Sequence, residues 1–140
     1  MKILSMNIRG FGGLTKQKAL GKLFTDLNNP DMILIQETMC CFSQSFLLFS
    51  KLKLGWEFCA SDASGLSGGL LAGWNPFMVR CKAFSSLAGI ILKANIKGLS
   101  EVFTIINYYG PYTQCHMPQF CKNNFLLFED NMLNFMLSCN

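Results

Sequence analysis

Charge is what this chain has least of, and the shortage excludes several classes of protein. Only 14% of its 140 residues are charged, against 51% hydrophobic. A chain of that balance buries itself and does not stay disordered in water. Long apolar runs are absent too. None reaches the roughly 18 residues of a membrane span, because Gly, Asn, Ser, Lys or Arg interrupts each one, so no membrane-spanning helix is expected. The N-terminus follows Lys2 with the polar residues Ser5, Asn7 and Arg9, which is not the pattern of a secretory signal. The seven cysteines are odd in number and irregularly spaced. This suits reduced thiols in cytosol or nucleus better than a disulfide framework. The group Cys115, His116 and Cys121 lacks the paired spacing of a zinc site. Repeats, linkers and low-complexity tracts are also absent, so residues 1–140 read as one domain. The net charge of +4 permits nucleic acid as a partner but is too small to argue for it.

What is present is a regular alternation of short elements. Residues 2–7 read as a strand, ended by Arg9-Gly10-Phe11-Gly12-Gly13. Over 15–28, Ala19, Leu20, Leu23, Phe24 and Leu27 recur at helical spacing, with Thr15 as N-cap and Asn28-Asn29-Pro30 as the stop. Lys16, Lys18 and Lys22 read as the solvated face of that helix. A second strand over 31–37 completes a βαβ opening, and Phe46, Leu47, Phe49 and Leu54 predict a helix over 43–54. Short β-type segments at 56–60, 69–74, 77–84, 88–96 and 101–109 follow, which predicts an antiparallel meander continuing the same sheet. Phe120, Phe125, Leu126, Phe128, Met132, Phe135 and Met136 predict a last helix over 118–138. The glycines after the first strand lack the third glycine of a dinucleotide fingerprint, so they supply a flexible turn.

Asn7 and Glu37 stand at the C-terminal ends of the first two strands. In a parallel pair both ends face the same sheet edge, where α/β proteins place ligands. An amide and a carboxylate there suit a hard, oxygen-seeking cation such as Mg²⁺ beside a phosphate.

Taken in order, Ser5-Met6-Asn7-Ile8-Arg9-Gly10, Gln36-Glu37-Thr38, Gly68-Gly69-Leu70-Leu71-Ala72-Gly73-Trp74 and Asn107-Tyr108-Tyr109-Gly110-Pro111 resemble the endonuclease/exonuclease/phosphatase superfamily. The nearest likeness is to the apurinic-type endonuclease domain of plant non-LTR (LINE-type) retrotransposons. The resemblance implies an α/β fold, a mixed sheet flanked by helices, corresponding to half of a DNase I-like four-layer sandwich. It implies that Glu37 ligates Mg²⁺ or Mn²⁺, that Asn7 hydrogen-bonds around the metal and the catalytic carboxylate, and that Tyr109 directs its hydroxyl to the scissile phosphate of DNA.

The departures carry as much weight. Met6 stands where the family has Trp, and Met39 where it has Lys after Gln-Glu-Thr. The family's Gly-Asp-x-Asn motif is expected after the helix at 118–138 and its Ser-Asp-His motif last, and the sequence ends at Asn140 without either. These motifs supply the aspartate that activates water and a histidine that binds phosphate. His116, in a loop, cannot replace that histidine. The expectation is therefore the N-terminal half of a Mg²⁺-dependent DNA endonuclease, inactive or crippled, with an apolar inner sheet face and an unpaired edge open to self-association. The alternative is a non-catalytic retrotransposon remnant that binds DNA or protein, or one with no function.

Overall fold

The computed structural model describes residues 1–64, 67–85, 89–109 and 135–136. Strand β1 (Ile3–Asn7) leads through helix α1 (Leu14–Asp26) to β2 (Met32–Gln36), which pairs parallel to β1 with Ile3 opposite Met32 and Asn7 opposite Gln36. All five residues of β2 are buried, as expected of a central strand covered on both faces. Helix α1 starts one residue before Thr15, and Gly13 is its N-cap. It stops where predicted. Asn28 and Asn29 both take the left-handed conformation, and the Asn29 amide reaches back to the Phe24 carbonyl at 2.8 Å.

Helix α2 (Phe42–Leu52) follows, then β3 (Glu57–Ser64), β4 (Ser67–Trp74), β5 (Val79–Ser85), β6 (Gly89–Ile96) and β7 (Val102–Tyr108). The element types and most bounds match the sequence pattern. The sheet organisation does not. There are two four-stranded sheets, β1-β2-β4-β3 and β5-β6-β7-β8, the last strand being β8 (Phe135–Met136). Strand β4 inserts between β2 and β3, pairing antiparallel with both.

The second sheet packs against the first through Met32, Leu34, Leu70, Ala72 and Trp74 on one side and Val79, Ile90, Leu92, Ala94, Ile96 and Ile105 on the other. The inner apolar face expected to lie in water is therefore covered within the chain by the second sheet. Alternation shows which side chains share a face; it does not show against which sheet that face is buried. The predicted helix over 118–138 lies outside the described residues except at Phe135–Met136. There the chain forms a short strand, β8, parallel to β7, in place of helix.

On its other face the first sheet carries α1 and α2. Leu20, Phe24 and Phe49 pack on Ile33, Ile35 and Leu71. The layers are thus helices, mixed sheet, second sheet. Cys40, Cys41, Cys59 and Cys81 are free thiols; the other three cysteines lie outside the described residues. Among the described residues no helix is long and apolar enough to cross a membrane.

Candidate functional site

The parallel pairing of β1 and β2 brings Asn7 and Glu37 to the same sheet edge. Glu37 leaves the end of β2 in the left-handed conformation, as do Met39 two residues later and Arg9 just past β1. Three non-glycine residues in that region within one site is unusual, and such a backbone persists only where its surroundings over-determine it. Hydrogen bonds hold it from both sides. The Gly10 and Phe11 amides donate to the Glu37 and Thr38 carbonyls, each at 2.7 Å. From β4, the Gly69 and Gly68 carbonyls accept from the amides of Thr38 (3.1 Å) and Met39 (3.0 Å). Gly69 is itself left-handed, and a Cβ there would collide with Thr38 Oγ1 and lie 3.3 Å from the Met39 nitrogen. The Gly-Gly strand is thus the mould for the Glu37 turn.

Glu37 is 9% exposed, and polar groups converge on its side chain. Tyr109, immediately after β7, donates its hydroxyl to Oε1. Arg9 Nε stands 3.7 Å from Oε2. The Asn7 side chain also hydrogen-bonds the carboxylate, and Asn7 Oδ1 accepts from the Arg9 amide at 3.2 Å. The Tyr109 hydroxyl lowers the Glu37 pKa most; burial pushes the other way, and Asn7 and Arg9 add to the lowering. The carboxylate therefore stays ionised below the ordinary range.

All three residues assigned from the sequence, Asn7, Glu37 and Tyr109, meet in one place, although 72 positions separate Tyr109 from Glu37. Tyr109, and not its neighbour Tyr108, takes the contact with the carboxylate. Arg9, read from the sequence only as part of a turn, is the fourth member. Its signal was the single cation two residues past the Asn7 strand end.

Beneath the site, Asn107 joins the two sheets. Its Oδ1 accepts from Gln36 Nε2 at 2.6 Å, and its Nδ2 donates to the carbonyls of Leu71 (2.9 Å) and Ile35 (3.2 Å). The bridge places the end of β7, and so Tyr109, over the end of β2.

Because the folded state holds the Glu37 proton less tightly than the unfolded chain, the stability this carboxylate adds is present above the ordinary carboxylate range. It is lost as pH falls through the depressed folded-state value. Tyr109→Phe removes the largest lowering influence, so the Glu37 midpoint is expected to rise. Carboxyl NMR titration checks this, and an unmoved midpoint would remove Tyr109 from the site.

No protein-family model and no curated protein sequence matches the chain. Solved structures do. The AP endonuclease of Leishmania major superposes with a TM-score of 0.58 at 18% identity, over 77% of this chain and 39% of its own. A humanised D. rerio TDP2 gives 0.60 at 13%, over 91% and 54%. The endonuclease domain of TRAS1, a telomere-specific non-LTR retrotransposon, gives 0.59 at 12%, over 90% and 52%. The architecture is that of the DNase I-like α/β fold, and the chain spans 39% to 54% of the length of these structures.

Proposed function

We propose that this site is the phosphodiester-facing part of a Mg²⁺-dependent DNA endonuclease of the kind that nicks target DNA. The observation that carries the reading is a buried carboxylate, Glu37, at a sheet edge with Asn7, Arg9 and the Tyr109 hydroxyl all directed at it. The solved structures of similar fold include an AP endonuclease and a retrotransposon endonuclease domain, which supports nucleic acid as the substrate class. The ordered motifs point more finely, to the LINE-type endonucleases of plants.

The donor set fits a hard cation in part. Glu37 would hold Mg²⁺ or Mn²⁺ with Asn7 beside it. A cation that keeps most of its waters accepts so few protein oxygens. Among the described residues no cluster of three or more His, Cys, Asp or Glu is present, so weak binding is expected. When bound, the ion would polarise the phosphate and neutralise its charge. Tyr109 supplies a neutral donor suited to charge that grows on a phosphoryl oxygen. Arg9, 83% exposed in its side chain, can leave Glu37 for an incoming phosphate.

The Gly-Asp-x-Asn and Ser-Asp-His motifs do not occur in this sequence. Within residues 1–140, Asn7, Glu37 and Tyr109 are the family-site residues present. The chain by itself is expected to bind metal and DNA weakly and to nick little or not at all.

The test is nicking of supercoiled plasmid with Mg²⁺, together with Mn²⁺-induced broadening of amide resonances near Asn7 and Glu37, each beside Glu37→Ala. Broadening that Glu37→Ala abolishes, without nicking, is the expected result. No broadening in the wild type would overturn the metal assignment. Nicking lost in Glu37→Ala would show instead that the chain is a competent nuclease and that the two family motifs are dispensable.

A further inference from the structure

Lys16 looks like one of three lysines on a solvated helix face, and the structure separates it from the other two. It sits in the first turn of α1, where no acidic residue balances the helix dipole and a cation is locally unfavourable. Its ammonium turns back toward β1 instead. Nζ donates to the Ile8 carbonyl at 2.9 Å and also to the Arg9 carbonyl. Lys18 and Lys22, on the same helix, make no such bonds among the described residues.

The two carbonyls Lys16 holds belong to the turn that carries Arg9 and Gly10 in left-handed conformations, with φ of 45° and 104°. A non-glycine residue there is strained, and charge-assisted hydrogen bonds from Lys16 help to offset that strain. The turn in turn reaches Glu37, through the Gly10 amide on the Glu37 carbonyl at 2.7 Å and Arg9 Nε 3.7 Å from the carboxylate. Lys16 Nζ and Met39 Sδ flank Gly10 equally, each 3.7 Å from where a Cβ would stand. The α1 lysine therefore brings positive charge beside position 39, where this chain has none.

We propose that Lys16 is a positioning residue of the candidate site, pinning the turn at 8–10 so that Arg9 stands at the Glu37 carboxylate, ready for a nucleic-acid phosphate. The phosphate clause rests on the functional reading above; the pinning does not.

The experiment is a double-mutant cycle of Lys16→Met and Arg9→Met, with Lys16→Arg as the conservative variant. Two quantities are read. One is hydrogen exchange at the Gly10 amide. The other is affinity for a short DNA duplex in EDTA at low salt, where phosphate contacts dominate. Thermal unfolding of each variant checks the fold. Lys16→Met is expected to speed Gly10 exchange about tenfold with global stability little changed, and Lys16→Arg to restore most of the protection. Lys16→Met and Arg9→Met are expected to weaken DNA binding about equally, by roughly fivefold, and the double variant no further, because residues acting through one another are not additive.

Unchanged Gly10 exchange in Lys16→Met would overturn the proposal. So would fully additive losses, which would make Lys16 an independent phosphate contact. A wild type that binds no DNA would overturn the substrate reading while leaving the Gly10 exchange to decide on Lys16.

Discussion

Asn107→Ala is expected to lower the unfolding free energy by about 3–5 kcal/mol, a large share of the 5–15 kcal/mol typical of a domain. Asn107 is 1% exposed and spends both ends of its amide between the sheets. Truncation removes the amide donor from the carbonyls of Ile35 and Leu71, which stay register partners in the β2–β4 ladder, and leaves Gln36 Nε2 with only Ser5 Oγ, at 3.2 Å. Each of the three lost hydrogen bonds is worth about 0.5–1.5 kcal/mol, and a cavity adds to it. At about 4 °C per kcal/mol for a chain this long, the melting temperature should fall by roughly 12–20 °C. Asn107→Asp tests the cause. It keeps the shape but replaces the donor with an oxygen facing two carbonyls, so it should be at least as damaging. If Asn107→Asp were nearly neutral, the bridge would be only a packed side chain. Because the same bridge sets the end of β7 over β2, milder variants here should loosen Tyr109 from Glu37 before they unfold the protein.

The second large effect is expected at Gly73. It lies on β4 under the ring of Phe49, which is 0% exposed. A Cβ at this position would overlap Phe49 Cζ and come within 2.7 Å of Cε1. The ring is fully buried, with Trp56 and Phe58 at 6.3 Å and 5.4 Å by centroid, which limits how far it can shift. Helix α2 would have to lift off the sheet. Overpacking of this kind costs about 1–3 kcal/mol, and we expect the upper end for Gly73→Ala, with a melting temperature roughly 10 °C lower. Adding Phe49→Leu to Gly73→Ala should recover part of that loss, although Phe49→Leu alone destabilises; this sign change is the mark of direct contact. A Gly73→Ala protein within 0.5 kcal/mol of wild type would mean the helix yields freely.

Both variants show where sequence patterns stop being sufficient. The amide pair that joins the sheets was visible as two polar residues in apolar strands, Gln36 after Met32-Ile33-Leu34-Ile35 and Asn107 after Ile105-Ile106. Each was read as part of a motif, because nothing in either segment says that the two amides face each other. Lys16 was read as solvated for a similar reason. Its partners are backbone carbonyls of a turn, and a carbonyl has no identity in the sequence.

The sequence by itself determined the elements and the chemistry available to them. Period-two and period-3.6 patterns, with asparagine, proline and glycine stops, placed nine of the ten described elements, since local sterics and one-sided burial act over a few residues. The βαβ opening also brought Asn7 and Glu37 to one edge, because a single crossover leaves little choice. Only the tertiary structure decided that β4 pairs between β2 and β3, that β5, β6 and β7 fold over as a second sheet, and that Tyr109 reaches the Glu37 carboxylate. Those outcomes depend on which apolar faces cover one another across the whole chain. Burial rewards total area removed from water and is indifferent to the distance along the sequence between the residues that supply it.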